Sequence, residues 1–199
     1  MTQDEVKINI GCGVSGLEGW HNFDNSLTII LSRIPLLNRF LNVPRWPRNV
    51  RRYDVRKGLP FKTASVRYIY SSHTFEHFTN PESLGIAKEC FRVLEECGVI
   101  RIAVPDLGLI VHDYIADKDP MASHTFVSRL SLRHSLQDIV HPGSNHSQMF
   151  DRRSLVQLLL NAGFANPVAR PFRQSAIPEI DRLEQEVRQR ESLYVEAQR

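Results

Sequence analysis

The glycine-rich turn after the first predicted strand constrains this sequence more than any other feature. Residues 6–10 form a short β-rich run, and the residues directly after it read Gly11-Cys12-Gly13-Val14-Ser15-Gly16, a G-x-G-x-x-G pattern. Glycines at such a turn let the backbone approach a ligand closely. The dinucleotide-binding form of this motif also needs a crossover helix and an acid about 20 residues further on. Here the next predicted strand, residues 20–24, starts too soon for that helix, so a dinucleotide-binding oxidoreductase is only the weaker alternative.

Length and composition bound the class of protein. The chain has 199 residues, of which 42% are hydrophobic, and this predicts a single globular domain over residues 1–199. Its 25 basic and 22 acidic residues give a formal net charge of +3, too small a bias to indicate nucleic-acid binding by itself. A disordered chain, a collagen-like chain and a disulfide scaffold are therefore excluded.

Cysteine usage and hydropathy favour a cytoplasmic protein. Cys12, Cys90 and Cys97 follow no metal-binding spacing, and we expect them to be reduced thiols. The first ten residues lack the basic and then apolar pattern of a secretory signal. The most apolar stretch, residues 27–43, is interrupted by Arg33, Pro35, Asn38 and Arg39 and falls short of the roughly 20 apolar residues that cross a bilayer.

Short β-rich runs alternate with helical patterns, which predicts an α/β fold with a largely parallel sheet. Apolar residues recur at helical spacing over residues 81–96, with Asn80 as the expected N-cap. Further helices are predicted over residues 152–162 and 178–190, and residues 107–141 are predicted to be helical in parts. The predicted strands are residues 6–10, 20–24, 50–55, 66–71, 99–104, 167–172 and 193–197.

Polar positions at the ends of the predicted strands suit an adenosine-bearing ligand. Asp24 ends the second strand, where a carboxylate can accept hydrogen bonds from both ribose hydroxyls. Asp54 ends the third strand, where a carboxylate can accept from an adenine amino group while the N–H of Val55 donates to a ring nitrogen. The fourth strand ends directly before the sequence Ser72-His73-Thr74-Phe75-Glu76-His77.

The order of these motifs resembles the class I S-adenosylmethionine-dependent methyltransferases, in particular the type 11 methyltransferase-like family. The resemblance runs through most of residues 7–106, and it continues at residues 149–164 and 192–197. Its elements are the G-C-G turn at 11–13, the G-W-x-N-x-D strand at 19–24, the L-P-F turn at 59–61, the S-S-H-x-x-E-H strand end at 71–77 and the R-V-L-x-x-x-G-x-I-x-I pattern at 92–102.

This resemblance implies a Rossmann-like methyltransferase fold, which is a seven-stranded, mostly parallel sheet with an antiparallel last strand, here with a shortened first crossover helix. It also implies S-adenosyl-L-methionine as the cofactor. The sequence departs from the family pattern at Asn9, where an acid is usual, and at Cys97, where a glycine is usual. The cofactor contacts that it implies are Gly11, Cys12 and Gly13 at the methionine end, Asp24 at the ribose, Asp54 and Val55 at the adenine, and Ser72 and His73 beside the sulfonium.

Candidate catalytic groups follow the fourth and fifth strands, and one sits in the later loop. The stretch from His73 to His77 is also a literal H-x-x-E-H, a zinc signature. That signature needs a helix and a third protein ligand, commonly a glutamate further along the chain, and after Glu96 the next glutamate is Glu179. We therefore predict no metal. The candidates for a base are His73, Glu76, His77, Asp106 and His141.

Residues 27–43 and 107–146 have no fixed role in such a fold. Long connections in compact domains are commonly lids or binding loops, so we expect both to border the acceptor pocket. Packing of the first segment on the core, or its contact with a membrane surface, stays open. The second contains His134, His141 and His146, which either offer one histidine to the acceptor or are ordinary exposed loop residues.

The expected reaction is methyl transfer to a small-molecule, sugar or glycan acceptor, at oxygen. The alternative is a non-catalytic methyltransferase-like module that works through partners. Nucleic acid is disfavoured as the acceptor, because the fourth strand lacks the Asn/Asp-Pro-Pro-aromatic end of enzymes that methylate amino groups of nucleic acids. The basic residues near the third strand are then a solvated loop or a rim for an acidic substrate; they are Arg45, Arg48, Arg51, Arg52, Arg56 and Lys57.

Overall fold

The computed structural model describes residues 5–34, 44–116 and 146–199, and these residues form an α/β fold around one sheet. The strands are β1 (Lys7–Ile10), β2 (His21–Asp24), β3 (Val50–Arg52), β4 (Val66–Ser72), β5 (Leu94–Pro105), β6 (Ala165–Ala169) and β7 (Ser192–Gln198). The helices are α1 (Thr28–Ser32), α2 (Asn80–Val93), α3 (Leu107–Ile115), α4 (Arg152–Ala162) and α5 (Ile180–Leu183), with 3-10 turns at Val55–Lys57, Phe75–His77 and Glu186–Arg188.

The strand order is β3-β2-β1-β4-β5-β7-β6. All pairs among β1 to β5 are parallel, and β7 is antiparallel to both of its neighbours. The mostly parallel seven-stranded sheet with an antiparallel last strand is thus confirmed. The direction of the chain across the sheet reverses between β1 and β4, and ligands of open α/β sheets bind at the carboxyl ends of the strands at such a point. Gly11 and His73 directly follow these two strands.

One face of the sheet carries α2 and α4, and we call it the helical face. Because side chains alternate along a strand, Ile8, Ile10 and Ile69 point to this face. They pack against buried residues of the two helices, among them Ile86 and Leu159. This face is mostly apolar and holds the main core.

The first crossover contains no helix. Residues 11–20, all of them described, form only turns, so the shortened crossover predicted from the sequence is confirmed. Right-handed connections that run in opposite directions across a sheet lie on opposite faces. Because α2 joins β4 to β5 on the helical face, a β1–β2 helix would belong on the other face.

The connection between β6 and β7, residues 171–191, packs on that other face instead; we call it the covering segment. Trp20, Tyr68 and Tyr70 from the sheet side contact Ile177, Ile180 and Leu183 of this segment. Arg101 of β5 also points to this face and is fully buried. Its guanidinium donates to Glu184 Oε1 (2.5 Å), to the Gln174 carbonyl (3.0 Å) and to the Pro171 carbonyl (2.9 Å).

The predicted helix over residues 81–96 ends earlier than expected. Leu94 is already extended (φ −61°, ψ 140°) and pairs with Val66 at the start of β5. The N-cap is Thr79 and not Asn80, since Thr79 and Glu82 form a capping box. Cys97 lies within β5 in a left-handed conformation (φ 58°), the conformation that glycine favours.

Near the C-terminus the structure corrects two predictions. The helix predicted over residues 178–190 is wrong: only α5 and the Glu186–Arg188 turn are helical. Glu179 adopts a left-handed conformation (φ 61°) and pairs with Lys7 at 2.9 Å, while Glu184 is extended and bonded to Arg101. The strand predicted over residues 167–172 is β6, which starts at Ala165 because Gly163 ends α4 in a left-handed conformation.

The two segments predicted as lids are described in part. α1 covers part of the first, and its buried Ile29 packs against Val50 and Cys12. α3 covers the start of the second. Residues 35–43 and 117–145, and with them His134 and His141, lie outside the described residues. No helix in the described ranges is long and apolar enough to cross a membrane.

Candidate cofactor and active site

The two glycines of the G-C-G turn differ in what surrounds them. Both have positive φ angles, 67° at Gly11 and 54° at Gly13. A Cβ on Gly11 would lie 1.8 Å from Oγ1 of Thr74, whereas a Cβ on Gly13 would meet nothing within 4 Å. Gly11 is therefore required by packing against the residues after β4. Gly13 leaves open space where a ligand can approach the backbone.

The N–H groups of this turn are already bonded within the protein. Those of Gly11 and Cys12 donate to the Phe23 carbonyl (2.8 and 3.2 Å), and that of Gly13 donates to Asp24 Oδ2 (3.0 Å). No helix follows the turn, so no helix dipole points at it. The turn thus lacks the phosphate cradle of a dinucleotide site, which needs free N–H groups at a helix N-terminus.

Asp24 connects the turn to the end of β2. Its Oδ1 accepts from the Ser26 N–H (2.8 Å) and its Oδ2 from Gly13. A carboxylate has about four acceptor positions, so Asp24 keeps capacity for further donors such as ribose hydroxyls. The charge of Asp24 and, more strongly, burial raise the pKa of the Cys12 thiol, which leaves that thiol protonated and unreactive.

Two cavities adjoin at the carboxyl ends of β1, β2 and β4, sharing Gly11, Asp24 and His73. The first, the Arg56 cavity, has a volume of about 270 Å³ and is lined by Gly11, Asp24, Asn25, Ser26, Arg56, His73, Thr74, His77 and Phe78. The second, the glycine-turn cavity, has a volume of about 350 Å³ and is lined by Asn9, Gly11, Cys12, Gly13, Val14, Ser15, Asp24, Tyr70, Ser72, His73, Leu183, Gln185 and Arg188.

The residues predicted to hold the adenine are arranged differently from the others. The guanidinium of Arg56 binds both carboxylate oxygens of Asp54 (2.9 and 2.8 Å) and holds the pKa of that carboxyl below its usual value. Val55 is buried at the start of its 3-10 turn. Neither Asp54 nor Val55 lines the two cavities, but Arg56 does. The assignment of Asp54 and Val55 to the adenine stays a prediction.

His73 lines both cavities and also contacts Glu76 and Ser192. It follows β4 in a left-handed conformation (φ 49°), which is uncommon for a residue with a side chain and is often found at functional sites. Its Nε2 lies 2.8 Å from Ser192 Oγ, and its Nδ1 lies 3.5 Å from Glu76 Oε1. The Glu76 carboxylate is fully buried. The ring of His73 is therefore oriented from both sides.

His77 and His146 complete a cluster around Glu76. The Nε2 atom of His77 lies 4.0 Å from Glu76 Oε1, and the rings of His77 and His146 meet edge to face with centroids 5.0 Å apart. The structure thus brings three of the candidate bases together, His73, Glu76 and His77. It adds His146, which was predicted only as one member of a histidine-containing loop.

Asp106 lies apart from this cluster. Its carboxylate caps α3 by accepting from the N–H groups of Gly108 and Leu109 (2.9 and 3.3 Å). It lines a different cavity, of about 430 Å³, together with Arg152, Arg170 and Ser192. Asp106 therefore binds the first turn of α3 and forms no hydrogen bond or ion pair with the cluster around Glu76. Its role as a base stays a prediction.

Sequence reasoning missed the contribution of the covering segment to the site. Leu183, Gln185 and Arg188 line the glycine-turn cavity, and Gln185 Nε2 donates to Ser15 Oγ at 2.7 Å. Ser192, the hydroxyl partner of His73, was missed as well. These contacts join residues that are more than 100 positions apart, and no local pattern signals them.

Comparison with known proteins agrees with this geometry. Residues 9–102 match the family model of a methyltransferase domain. No curated protein matches the sequence. Among solved structures, an S-adenosylmethionine-dependent methyltransferase from Archaeoglobus fulgidus is similar, with a TM-score of 0.55, 15% identity, and coverage of 98% of this chain and 86% of that one.

Two further structures share the fold. A possible histamine N-methyltransferase from Thermotoga maritima has a TM-score of 0.52 and 15% identity over 97% of this chain and 81% of that one. A possible exported protein from Bordetella parapertussis has a TM-score of 0.55 and 11% identity over 98% of this chain. This chain spans only 61% of the Bordetella protein. At such identities the structural likeness concerns the fold.

A shared fold alone does not indicate function, and the match to the domain family adds evidence from the sequence motifs. It covers the glycine turn, the acid that ends β2, and the strand end that carries His73, Glu76 and His77. The strand order, with its antiparallel β7, fits the same family. Residues 9–102 belong to the methyltransferase-domain family, and the described fold is that of S-adenosylmethionine-dependent methyltransferases.

Proposed function

We propose that this chain transfers the methyl group of S-adenosylmethionine to a hydroxyl oxygen of a small-molecule, sugar or glycan acceptor. The observation that carries the proposal is the position of His73, which lines both cavities and is held between Glu76 and Ser192. An imidazole fixed in this way at a cavity wall is suited to take a proton from an acceptor hydroxyl.

The residues at the strand ends fit the cofactor. Gly13 leaves open space beside the backbone, and Asp24 keeps acceptor capacity next to it. We assign the glycine-turn cavity to the methionine end and the neighbouring Asp24 to the ribose. Ser72 and His73 then lie beside the sulfonium, which supplies an electrophilic methyl carbon when the cofactor is bound.

The protein's own residues supply alignment and proton transfer. In-line alignment of the acceptor oxygen with the methyl carbon is worth roughly 7–11 kcal/mol when the geometry is good. S-Adenosylmethionine, held beside Gly13 and Asp24, would supply the methyl carbon, and His73 would take the proton that the acceptor hydroxyl loses. The Glu76 carboxylate stabilises the imidazolium that results, as acids behind catalytic histidines do.

Two further parts of the proposal concern the charge of the acceptor and the location of the protein in the cell. Arg45, Arg48, Arg51, Arg52 and Lys57 near β3 are exposed, but without the Asn/Asp-Pro-Pro-aromatic strand end this positive charge does not indicate a nucleic-acid acceptor. A rim that attracts an acidic acceptor is favoured instead. The free thiols of the three cysteines support a cytoplasmic location.

Calorimetry with S-adenosylhomocysteine tests the cofactor site through a matched pair of glycines. Wild-type protein should bind in the micromolar range, about −8 kcal/mol. Gly13→Ala should weaken binding at least about tenfold, because the new methyl group fills the space over the turn. Gly19→Ala is the control: Gly19 also has a positive φ (80°) and open surroundings but lines neither cavity.

Three results would overturn the proposal. Equal loss of binding in both glycine variants would mean that backbone strain, and not the ligand, is responsible. A thermal shift with NAD and none with S-adenosylhomocysteine would favour the dinucleotide oxidoreductase. Cofactor binding with no methylated product from any hydroxyl acceptor would favour the non-catalytic module.

A further inference from the structure

Three side chains from two distant segments converge behind the Arg56 cavity. Glu76 and His77 belong to the 3-10 turn after β4, and His146 stands at the start of the stretch that leads to α4. Each of the three offers one ligand atom, and these atoms all lie within 4.8 Å of one another. His73 adds a fourth nitrogen nearby, with its Nδ1 3.5 Å from Glu76 Oε1.

Hydrogen bonds between the two segments hold this convergence. The N–H groups of Ser147 and Gln148 donate to the Glu76 carbonyl (2.8 and 3.2 Å), and Ser147 Oγ donates to the His77 carbonyl (2.9 Å). The Gln148 side-chain amide donates to the Phe78 carbonyl (2.9 Å). Because backbone groups of both segments are bonded to each other, the three donor side chains start from fixed positions.

The donor set has the composition of a transition-metal site. Two imidazoles and one carboxylate are the protein ligands of many catalytic zinc centres, with a fourth position left open. Donors around a tetrahedral zinc ion lie about 3.3 Å apart, given zinc–ligand distances near 2.0–2.2 Å. Small side-chain rotations bring atoms within 4.8 Å to that spacing. A divalent cation also supplies positive charge beside the fully buried Glu76 carboxylate.

We propose that Glu76, His77 and His146 bind a divalent transition-metal ion of the zinc class. His77 also lines the Arg56 cavity, so an ion held there would be reached from the space beside His73, Thr74 and Phe78. An acceptor hydroxyl bound there would have its pKa lowered by the ion, which would ease removal of its proton. This role rests on the proposed methyl transfer to oxygen, whereas the binding of the ion does not.

The sequence pointed away from this site for an identifiable reason. The H-x-x-E-H pattern predicts ligands on a helix with a further glutamate as the third, but here the stretch forms a strand end and a 3-10 turn. The first histidine, His73, turns toward Ser192, and the third ligand is a histidine about 70 positions further on. Only the fold brings His146 to Glu76.

Cobalt titration of metal-free protein tests the site directly. Protein dialysed against a chelator should bind about one Co²⁺ per chain, with visible absorption bands that disappear when Zn²⁺ is added. His77→Gln and His146→Gln should each weaken Co²⁺ binding more than about 100-fold, since loss of a ligand exceeds the 10–100-fold effect of an outer-shell change. His21→Ala is the control, because His21 is exposed at the amino end of β2, whereas the site lies at the carboxyl ends of the strands.

Three outcomes separate this site from the proposed function. Absence of cobalt absorption at a large excess of Co²⁺, or unchanged binding in both glutamine variants, would overturn the metal site. S-Adenosylhomocysteine binding measured on the same metal-free protein tests the cofactor site independently. Cofactor binding without cobalt binding would overturn only the metal site, and cobalt binding without cofactor binding would overturn only the proposed function. Circular dichroism confirms that each variant is folded before titration.

Discussion

On the helical face of the sheet, apolar side chains from α2 and α4 pack against isoleucines and valines of the strands. On the other face, the covering segment surrounds a fully buried arginine, Arg101, with Glu184 and two backbone carbonyls, and Glu196 of β7 lies 3.7 Å from the same guanidinium. The stability of the helical face depends on the volume and shape of its apolar side chains, so this face tolerates substitution by other apolar residues of similar size. The covered face depends on specific partners, and the same segment also forms a wall of the glycine-turn cavity. Stability and cofactor binding should therefore be coupled on the covered face and independent on the helical face.

Arg101→Ala should have the largest effect. It leaves the buried carboxylates of Glu184 and Glu196 without their cation, and breaking a buried pair costs about 3–5 kcal/mol. Urea unfolding measures the loss of stability, and calorimetry should show weaker S-adenosylhomocysteine binding in the folded fraction. Arg67→Ala is the matched control, because its pair with Glu95 is exposed and worth less than about 1 kcal/mol. A stability loss for Arg101→Ala no larger than that of Arg67→Ala would contradict the contrast between the faces.

Leu159→Ala examines the helical face. Leu159 is fully buried in α4, and the cavity left by truncation should cost about 3 kcal/mol of unfolding free energy. Because α4 lines neither of the two cavities at the strand ends, cofactor affinity of the folded variant should equal that of wild type. A loss of affinity as large as that of Arg101→Ala would show that the two faces are not independent.

The contrast between the faces also explains what the sequence could predict. α4 matches its predicted bounds, because its start at the Asp151 capping box and its end at Gly163 are local signals. Residues 178–190 of the covering segment were predicted as one helix because of the spacing of their interleaved glutamates and arginines. Contacts made across the sheet override that spacing, since Glu179 turns to reach Lys7 and Glu184 extends to reach Arg101.

The same distinction holds within the site. Gly11, Asp24 and His73 stand directly at strand ends, so the order of strands and motifs is enough to bring them beside the two cavities. Ser192 and His146 come from other parts of the chain, and only the antiparallel β7 and the stretch before α4 bring them to His73 and Glu76. Their roles depend on tertiary packing that no spacing in the sequence encodes.

Gln185→Ala tests how the covering segment reaches the cofactor site, with a smaller expected effect. It removes the hydrogen bond from Gln185 to Ser15, which ties the segment to the glycine turn at an exposed position. We expect a loss of about 0.5–1.5 kcal/mol in S-adenosylhomocysteine binding, the usual worth of one hydrogen bond, with almost unchanged stability. Gln157→Ala on α4 also removes an exposed side-chain bond, to Asn161, and should leave binding unchanged. Equal affinities of the two variants for S-adenosylhomocysteine would show that the contact of the covering segment with the glycine turn does not contribute to cofactor binding.

The dependence of unfolding free energy on pH gives the smallest expected difference, and it concerns α2 on the helical face. Hydrogen bonds from Arg92 and from the Leu59 N–H hold the pKa of Glu89 on α2 below its usual value. A carboxyl with a lowered pKa in the folded state stabilises the protein above its unfolded pKa and loses that contribution as the pH falls through the folded pKa. Glu89→Gln should therefore cost less than about 1 kcal/mol near pH 7, since the pair is partly exposed, and the cost should shrink as the pH falls through the lowered pKa of Glu89. Urea unfolding between pH 7 and pH 3 checks this, with Glu96→Gln at an exposed position as the variant of equal charge change. A constant difference between Glu89→Gln and wild type across that range would mean that Glu89 acts through packing rather than through its charge.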